Sequence, residues 1–300
     1  MPISTDPNIN NAYQFCQNLA KRHYENFPVA SILLPKNIRY PIAAIYAFAR
    51  TADDFADEGE QDAAQRSALL SGYEEELEQI NAAHTQSSNQ PSSNKIFVAL
   101  SHCIKTHQLP LQNFRDLLSA FQQDVNTIRY QNFDEVLDYC SRSANPIGRL
   151  LLKLHGQATD KNIQLSDSIC TALQLINFLQ DIYQDIQENN RIYIPVDEMR
   201  QFNVTESQLK QRVSDQNMGK LFKLQLHRAQ RLMQQGSALG QNIDGRFGLQ
   251  LRLMIAGGLA ICQRLERLEA DYFERPRLRR RDWFAMFKYA IIRKNTLHIN

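Results

Sequence analysis

No stretch of this chain alternates apolar and polar residues for long enough to make a half-buried β-strand, and that absence narrows the fold more than any other feature. Gly and Pro, 11 and 10 among 300 residues, are too sparse to punctuate a sheet, whereas Leu, Ala, Gln, Arg and Glu recur at helical spacing. The expected fold is all-α, with helices over roughly 11–25, 36–58, 62–81, 95–107, 111–129, 133–156, 165–188, 216–240, 247–273 and 279–294. The low-complexity run from Thr85 to Asn94 reads as a mobile surface loop between two helices. The patterns on its two sides are alike, so one domain over residues 1–300 is expected.

Composition enters by exclusion. A 43% hydrophobic and 22% charged chain is ordinary for a soluble globular protein, and a net charge of +2 argues against a nucleic-acid partner. Five scattered cysteines without C-x-x-C spacing, Cys16, Cys103, Cys140, Cys170 and Cys262, point to neither a disulfide framework nor a zinc site. There is no apolar run of the ~20 residues a spanning helix needs and no leader-like N-terminal segment. A cytoplasmic location is the expectation.

The chemistry lies in two acidic stripes. In the second helix, Tyr46-Ala-Phe-Ala-Arg50-Thr-Ala-Asp53-Asp54-Phe-Ala-Asp57-Glu58 places Asp53 and Asp57 one turn apart on one face, with Arg50 beside Asp53 and Tyr46 a turn earlier. Like charges at that spacing repel. The pair therefore asks for a cation or for plain solvation, and a single such pair by itself is more often a solvated face. The second stripe, Gln174, Asn177, Asp181 and Asp185, offers only oxygen and amide donors. Leu173, Leu175, Ile176, Phe178, Leu179, Ile182 and Ile186 surround it, so this helix is expected to sit centrally. Carboxylates inside a bundle are costly unless paired or metal-bound.

Two such stripes facing each other would suit Mg²⁺, which prefers hard oxygen ligands and leaves positions for water and phosphate. No Cys or His lies on either stripe to favour a softer metal. A diphosphate would complete the coordination, with Arg50 and Arg191 as charge-assisted donors. A departing diphosphate leaves a carbocation, which needs an apolar, aromatic surrounding. Phe48, Phe55, Phe178, Tyr139 and Tyr183 are candidates, each more readily explained as core packing.

At these residues the sequence resembles the squalene and phytoene synthase family, the trans-isoprenoid head-to-head synthases. The likeness covers most of the chain: His23-Tyr-Glu-Asn26-Phe, Leu34-Pro35, Ile45-Tyr46-Ala-Phe-Ala-Arg50, Asp53-Asp54-x-x-Asp57, Tyr139-Cys140, Gln174-x-x-Asn177-x-x-x-Asp181-x-x-x-Asp185 and Arg191-Ile-Tyr193-Ile-Pro195. Any one block is weak; their order is specific. The resemblance implies an isoprenoid-synthase helical bundle around a central apolar cavity. It implies Mg²⁺ on Asp53 and Asp57 from one wall and on Asn177, Asp181 and Asp185 from the other. It also implies that Tyr46, Arg50, Gln174 and the His23–Asn26 segment touch a prenyl diphosphate, and Tyr272 matches a tyrosine near the family's C-terminal substrate contacts.

Two departures stand out. Where the family commonly has Asn-x-x-Arg-Asp, this chain has Asn177-Phe-Leu-Gln180-Asp181, which removes a cation. Where Tyr-Cys is usually followed by an apolar stretch, this chain reads Ser143-Ala144-Asn145-Pro146-Ile147-Gly148, and Pro146 should interrupt the helix. These variants look like the hydroxysqualene synthase branch of bacterial hopanoid pathways, which acts on presqualene diphosphate. A site for one diphosphate needs less positive charge, which would suit Gln180, and Ser143 or Asn145 could position a water; a packing change at the kink explains them equally well. No NADPH is expected, since no glycine-rich dinucleotide fingerprint appears, although relatives that use NADPH need no such motif. The alternatives are condensation of two prenyl diphosphates, cyclisation of one linear prenyl diphosphate, and a non-catalytic helical module whose acidic stripes face solvent.

From Arg275 to Lys294 the chain carries eight basic residues and one acidic, Asp282, interleaved with Trp283, Phe284, Met286, Phe287, Tyr289, Ile291 and Ile292. A basic amphipathic helix of this kind fits peripheral contact with the inner face of the cytoplasmic membrane, and equally a terminal helix packed on its own core.

Overall fold

Helices form wherever apolar residues recur every three to four positions, and the computed structural model has no β-strand among the residues it describes, 4–22, 36–85, 92–268 and 271–292. His23, Asn26, Leu34 and Pro35 lie outside those residues, as do 86–91 of the expected loop. The helices are α1 (Pro7–Arg22), α2 (Lys36–Asp57), α3 (Ala63–Thr85), α4 (Lys95–His107), α5 (Leu111–Asn126), α6 (Phe133–Ser143), α7 (Asn145–Leu154), α8 (Asp160–Gln180), α9 (Ile182–Asn189), α10 (Val196–Gln201), α11 (Glu206–Lys210), α12 (Gln216–Gly236), α13 (Leu239–Asn242), α14 (Gly245–Glu266) and α15 (Arg280–Ile292). They fall into two compact units, one reaching to Asn126 and including Pro146–Ala158, the other comprising Thr127–Asn145 and the chain from Thr159 onward.

The first unit is built on α2, whose small residues Ala44, Ala47 and Ala52 are fully buried and let neighbouring helices come close. Phe48, also fully buried, is ringed by Tyr73, Phe97 and Phe114 with centroids at 5.6, 5.8 and 5.4 Å, mostly edge to face. Leu150 and Leu154 of α7 join this core. Asn94 starts α4 by accepting the Ile96 amide at 2.9 Å, which satisfies one of the donors a helix start leaves over.

In the second unit α8 packs along α12 and α14. Glycine permits the closest approach: a Cβ on Gly236 would stand 2.7 Å from the Leu165 carbonyl oxygen, and one on Gly258 2.6 Å from the end of Met233. The segment after α9 runs beside residues 128–131. Ile192 donates to the Ile128 carbonyl at 3.0 Å and Val196 to that of Tyr130 at 2.9 Å, around an isolated parallel bridge between Arg129 and Ile192. The Arg129 guanidinium locks this pairing through two 2.7 Å bonds to Glu206. Buried Glu198 of α10 is held by Arg228 at 2.6 Å and by Gln225, both on α12.

The interruption expected at Pro146 is present: the helical pattern over 133–156 ends at Ser143 and restarts at Asn145, because Pro146 cannot continue the hydrogen-bond ladder. Another helix departs from expectation. The helix expected over 165–188 breaks at Asp181, whose φ of −111° and ψ of 12° leave the helical range. The break is a bend. Asp181 still donates to the Asn177 carbonyl at 2.9 Å, and Asp185 to that of Asp181 at 2.8 Å.

Candidate active site

The acidic motif of the first unit occupies the last two turns of α2, where side chains at i, i+3 and i+4 share a face. Arg50 gathers it: the guanidinium lies 3.2 Å from Asp53 and 2.7 Å from Asp54, and it also bonds Glu58. Asp53, Asp54 and Asp57 are half-buried, as is Tyr46. Burial holds the Tyr46 phenol above its ordinary pKa, with Arg50 opposing, so it remains a neutral hydrogen-bond donor at physiological pH. Sequence spacing anticipated Arg50, Asp53 and Asp57 on one stripe. Asp54 and Glu58 as further partners of Arg50 were not anticipated, although the i+4 spacing of Asp54 was the available signal.

The acidic motif of the second unit straddles the bend between α8 and α9. Gln174 and Asp185 are half-buried, while Asn177 stands exposed. Asp181 begins α9 without using its side chain as a cap; the carboxylate is committed to Arg275 instead. Arg275 Nε lies 2.5 Å from Oδ1, and its terminal nitrogens donate to Oδ2 at 3.0 Å and to Gln184 Oε1 at 2.9 Å. Burial raises the Asp181 carboxyl above its ordinary pKa, and Arg275 offsets only part of that. Oδ1 is buried and accepts no well-directed hydrogen bond, its contact with Nε being close but out of line. Gln180 donates to the Pro276 carbonyl at 2.7 Å. Arg275, Gln184 and Pro276 were not singled out from sequence as members of this motif.

The remaining candidates of the second unit are also placed. Arg191, 5% exposed, donates through its backbone to the Asp185 carbonyl at 3.0 Å and through its guanidinium to Tyr193 Oη at 3.1 Å. Tyr193 stacks on Phe178 with centroids 3.6 Å apart and planes 9° from parallel; Tyr130 and Tyr139 complete the cluster. Phe178 and Tyr139 are thus packed in a ring cluster, as Phe48 is in the core of the first unit. Tyr183 lies under Arg212 at 5.0 Å. Tyr272 is buried beside Phe222, and its hydroxyl would stand 2.5 Å from a Cβ at Gly219, so a side chain there would displace the Tyr272 ring. Asn145, 5% exposed, accepts from Thr171 Oγ1 at 3.0 Å, which leaves its amide N–H groups available. The Ser143 hydroxyl oxygen is shielded from solvent and has no hydrogen-bond partner among the described residues.

The donors of both motifs fit a hard divalent cation: all are oxygens, and Asp181 presents a buried oxygen lacking a directed partner. Neither motif has a self-contained ligand set, since no group of three His, Cys, Asp or Glu among the described residues could hold a metal by itself. In each, an arginine supplies positive charge.

Known proteins give this arrangement its family. Residues 20–283 match the model of the squalene/phytoene synthase family. A hydroxysqualene synthase of Zymomonas mobilis is 40% identical over 189 residues, 62% of this chain and 59% of that protein, so this match spans less than two thirds of the relative's length. One from Rhodopseudomonas palustris is 35% identical over 81% of this chain and 80% of its own. The crystal structure of squalene synthase HpnC from Alicyclobacillus acidocaldarius superposes with a TM-score of 0.79 at 34% identity, covering 88% of this chain and 96% of that one. The all-α fold is therefore that of isoprenoid synthases, and the reading as a non-catalytic helical module is set aside. The chain belongs to the squalene/phytoene synthase family, whose members are enzymes acting on prenyl diphosphates.

Proposed function

We propose that this chain is a hydroxysqualene synthase, which ionises presqualene diphosphate and captures the rearranged cation with water. The observation that carries the reading is the 40% and 35% identity to two hydroxysqualene synthases. Asp53, Asp57, Asn177, Asp181 and Asp185 would hold Mg²⁺, which when bound supplies positive charge to the departing diphosphate. Arg50, Tyr46, Gln174, Arg191 and Tyr272 bind and orient the substrate, and His23 and Asn26 belong to the same proposal. An apolar cavity within one domain over 1–300 excludes water from the cation until the last step.

In that reaction the carbon–oxygen bond breaks and diphosphate leaves with the electron pair. The cation rearranges, a water oxygen adds to it, and one proton is released. Asn145 and Ser143 are the groups proposed to hold that water. The spare amide donors of Asn145 and the shielded Ser143 hydroxyl support this role. Substitution of both by Ala should lower the hydroxylated share of product; an unchanged share would remove them from the mechanism. No NADPH enters this scheme.

The second reading, condensation of two prenyl diphosphates to presqualene diphosphate, squalene or phytoene, draws on the 34% identity to a squalene synthase structure. Gln180, where the family commonly has Arg, speaks against it. Incubation with presqualene diphosphate or farnesyl diphosphate, each with and without NADPH, decides between them. A hydroxylated C30 alcohol from presqualene diphosphate alone is expected; turnover of farnesyl diphosphate, or a product that needs NADPH, would transfer the function.

Peripheral membrane contact through α15 belongs to the same proposal, and with it a place on the inner face of the cytoplasmic membrane. Met286 and Ala290 pack inward, and Arg252 ties the Ala290 carbonyl at 2.6 Å. The opposite face shows Phe284 at 80% and Ile291 at 69% exposure, with Phe287, Ile292 and Lys288 beside them. No helix among the described residues is long and apolar enough to cross a membrane. Sedimentation with anionic vesicles should weaken in Phe284→Ser/Ile291→Ser and in a chain truncated after Pro276. Undiminished binding would remove α15 from the account.

A further inference from the structure

Gln180 occupies the position at which the family commonly places an arginine, so the second acidic motif lacks a cation of its own. The structure brings one from elsewhere in the chain. Arg275, 94 residues beyond Asp181, contacts both carboxylate oxygens of Asp181 and the side-chain oxygen of Gln184. The segment that carries it is fixed at several points. Asp271 pairs with Arg212 at 2.6 Å, the Tyr272 amide donates to Ser214 Oγ at 3.1 Å, and Tyr272 and Phe273 are buried. The last anchor is Gln180 itself, whose side-chain amide donates to the carbonyl of Pro276, the residue next to Arg275.

We propose that Arg275 is a diphosphate-contacting residue of this site and that Gln180 is the positioning residue that seats it. A guanidinium with several N–H groups in a plane suits the oxygens of a diphosphate as well as those of a carboxylate. Its side chain is 44% exposed, against 22% for Asp181, so it is open to a ligand while Asp181 lies beneath. The neutral amide at 180 exchanges a cation on the helix for a hydrogen bond to the C-terminal segment, and that bond sets where the replacement cation stands. This inference rests on the reading of Asp181 as a metal and diphosphate position.

The test is calorimetric titration of the full-length protein with inorganic pyrophosphate in Mg²⁺, with melting temperature recorded for every variant. Arg275→Ala should weaken binding about ten- to hundredfold, Arg275→Lys less, and Gln180→Ala about three- to tenfold, all with melting temperatures near that of the parent. The double variant Gln180→Ala/Arg275→Ala should bind no more weakly than Arg275→Ala, because Gln180 acts only through Arg275. Gln180→Arg should recover part of the affinity lost in Arg275→Ala. Unchanged affinity in Arg275→Ala, or additive losses in the double variant, would overturn the inference while leaving the metal site intact. A parent protein without Mg²⁺-dependent pyrophosphate affinity, or one in which Asp181→Asn changes nothing, would overturn the underlying reading as well.

Discussion

The two acidic motifs both rest on aspartates and obtain their positive charge in opposite ways. Arg50 lies three and four residues from Asp53 and Asp54 on a single helix, so its pairing follows from helix geometry alone. Arg275 reaches Asp181 from the far end of the second unit, and its pairing depends on Arg212, Ser214 and Gln180 holding the intervening segment. A locally paired motif survives wherever its helix forms. A remotely paired one exists only after the tertiary structure is complete, and can be altered by changes far from its carboxylates.

The largest expected effect tests whether the motifs act as one set. Asp53→Asn and Asp181→Asn should each lower Mg²⁺-dependent turnover by at least about 10²–10³-fold, on the scale of losing a group that stabilises developing charge. Near-parental activity in either variant would break the equivalence of the two motifs. Next in size is packing beneath the first motif. Phe48→Ala should destabilise the protein by about 3–5 kcal/mol in denaturant titration, because a fully buried ring is lost from an edge-to-face cluster. The product should not change, since Phe48 is core rather than cavity wall.

Acid should act on the two units with opposite sign. Burial pushes the His155 imidazole down to about 4, so between its ordinary value of 6.5 and that pKa only the unfolded chain takes up a proton. Stability is therefore lost as pH falls through this window. Discounted for partial exposure, the loss is about 1–2 kcal/mol, and His155→Gln should flatten the profile of unfolding midpoints. Asp181, whose pKa is raised by burial, behaves in reverse: as pH falls through its folded value toward 3.8, the folded chain binds the proton more readily and stability is gained. A His155→Gln profile parallel to the parent's between pH 7 and 4 would contradict this assignment. The smallest effect separates the arginines. Arg50→Ala should cost about 1 kcal/mol, since several carboxylates are left crowded on one helix end, and Arg275→Ala about 0.5 kcal/mol or less, because its pair is partly exposed. Melting temperatures at low and high salt would check both, with salt narrowing the gap.

What could be read from the sequence divides along the same line. The all-α architecture, the Arg50–Asp53–Asp57 stripe and the interruption before Pro146 rest on contacts within a few residues, and the structure has each of them. The bend at Asp181 was not legible, because its hydrogen bonds keep helical spacing while the dihedrals depart. Helices α10 and α11, six and five residues long, are too short to show a period. The Arg129–Glu206 lock and the Arg275–Asp181 pair join residues 77 and 94 positions apart, and no local pattern records them. The basic residues near the C-terminus were conspicuous in sequence; that the first of them serves an acidic motif rather than a surface required the fold.

The measurement that bears most directly on the proposed chemistry is the origin of the product's hydroxyl oxygen. Presqualene diphosphate is incubated with the protein and Mg²⁺ in ¹⁸O-labelled water, and the extracted C30 lipid is weighed by mass spectrometry. Capture of the cation by water predicts an alcohol carrying one ¹⁸O, formed without NADPH and abolished by a chelator. An unlabelled alcohol, or a hydrocarbon that appears only when NADPH is added, would contradict it.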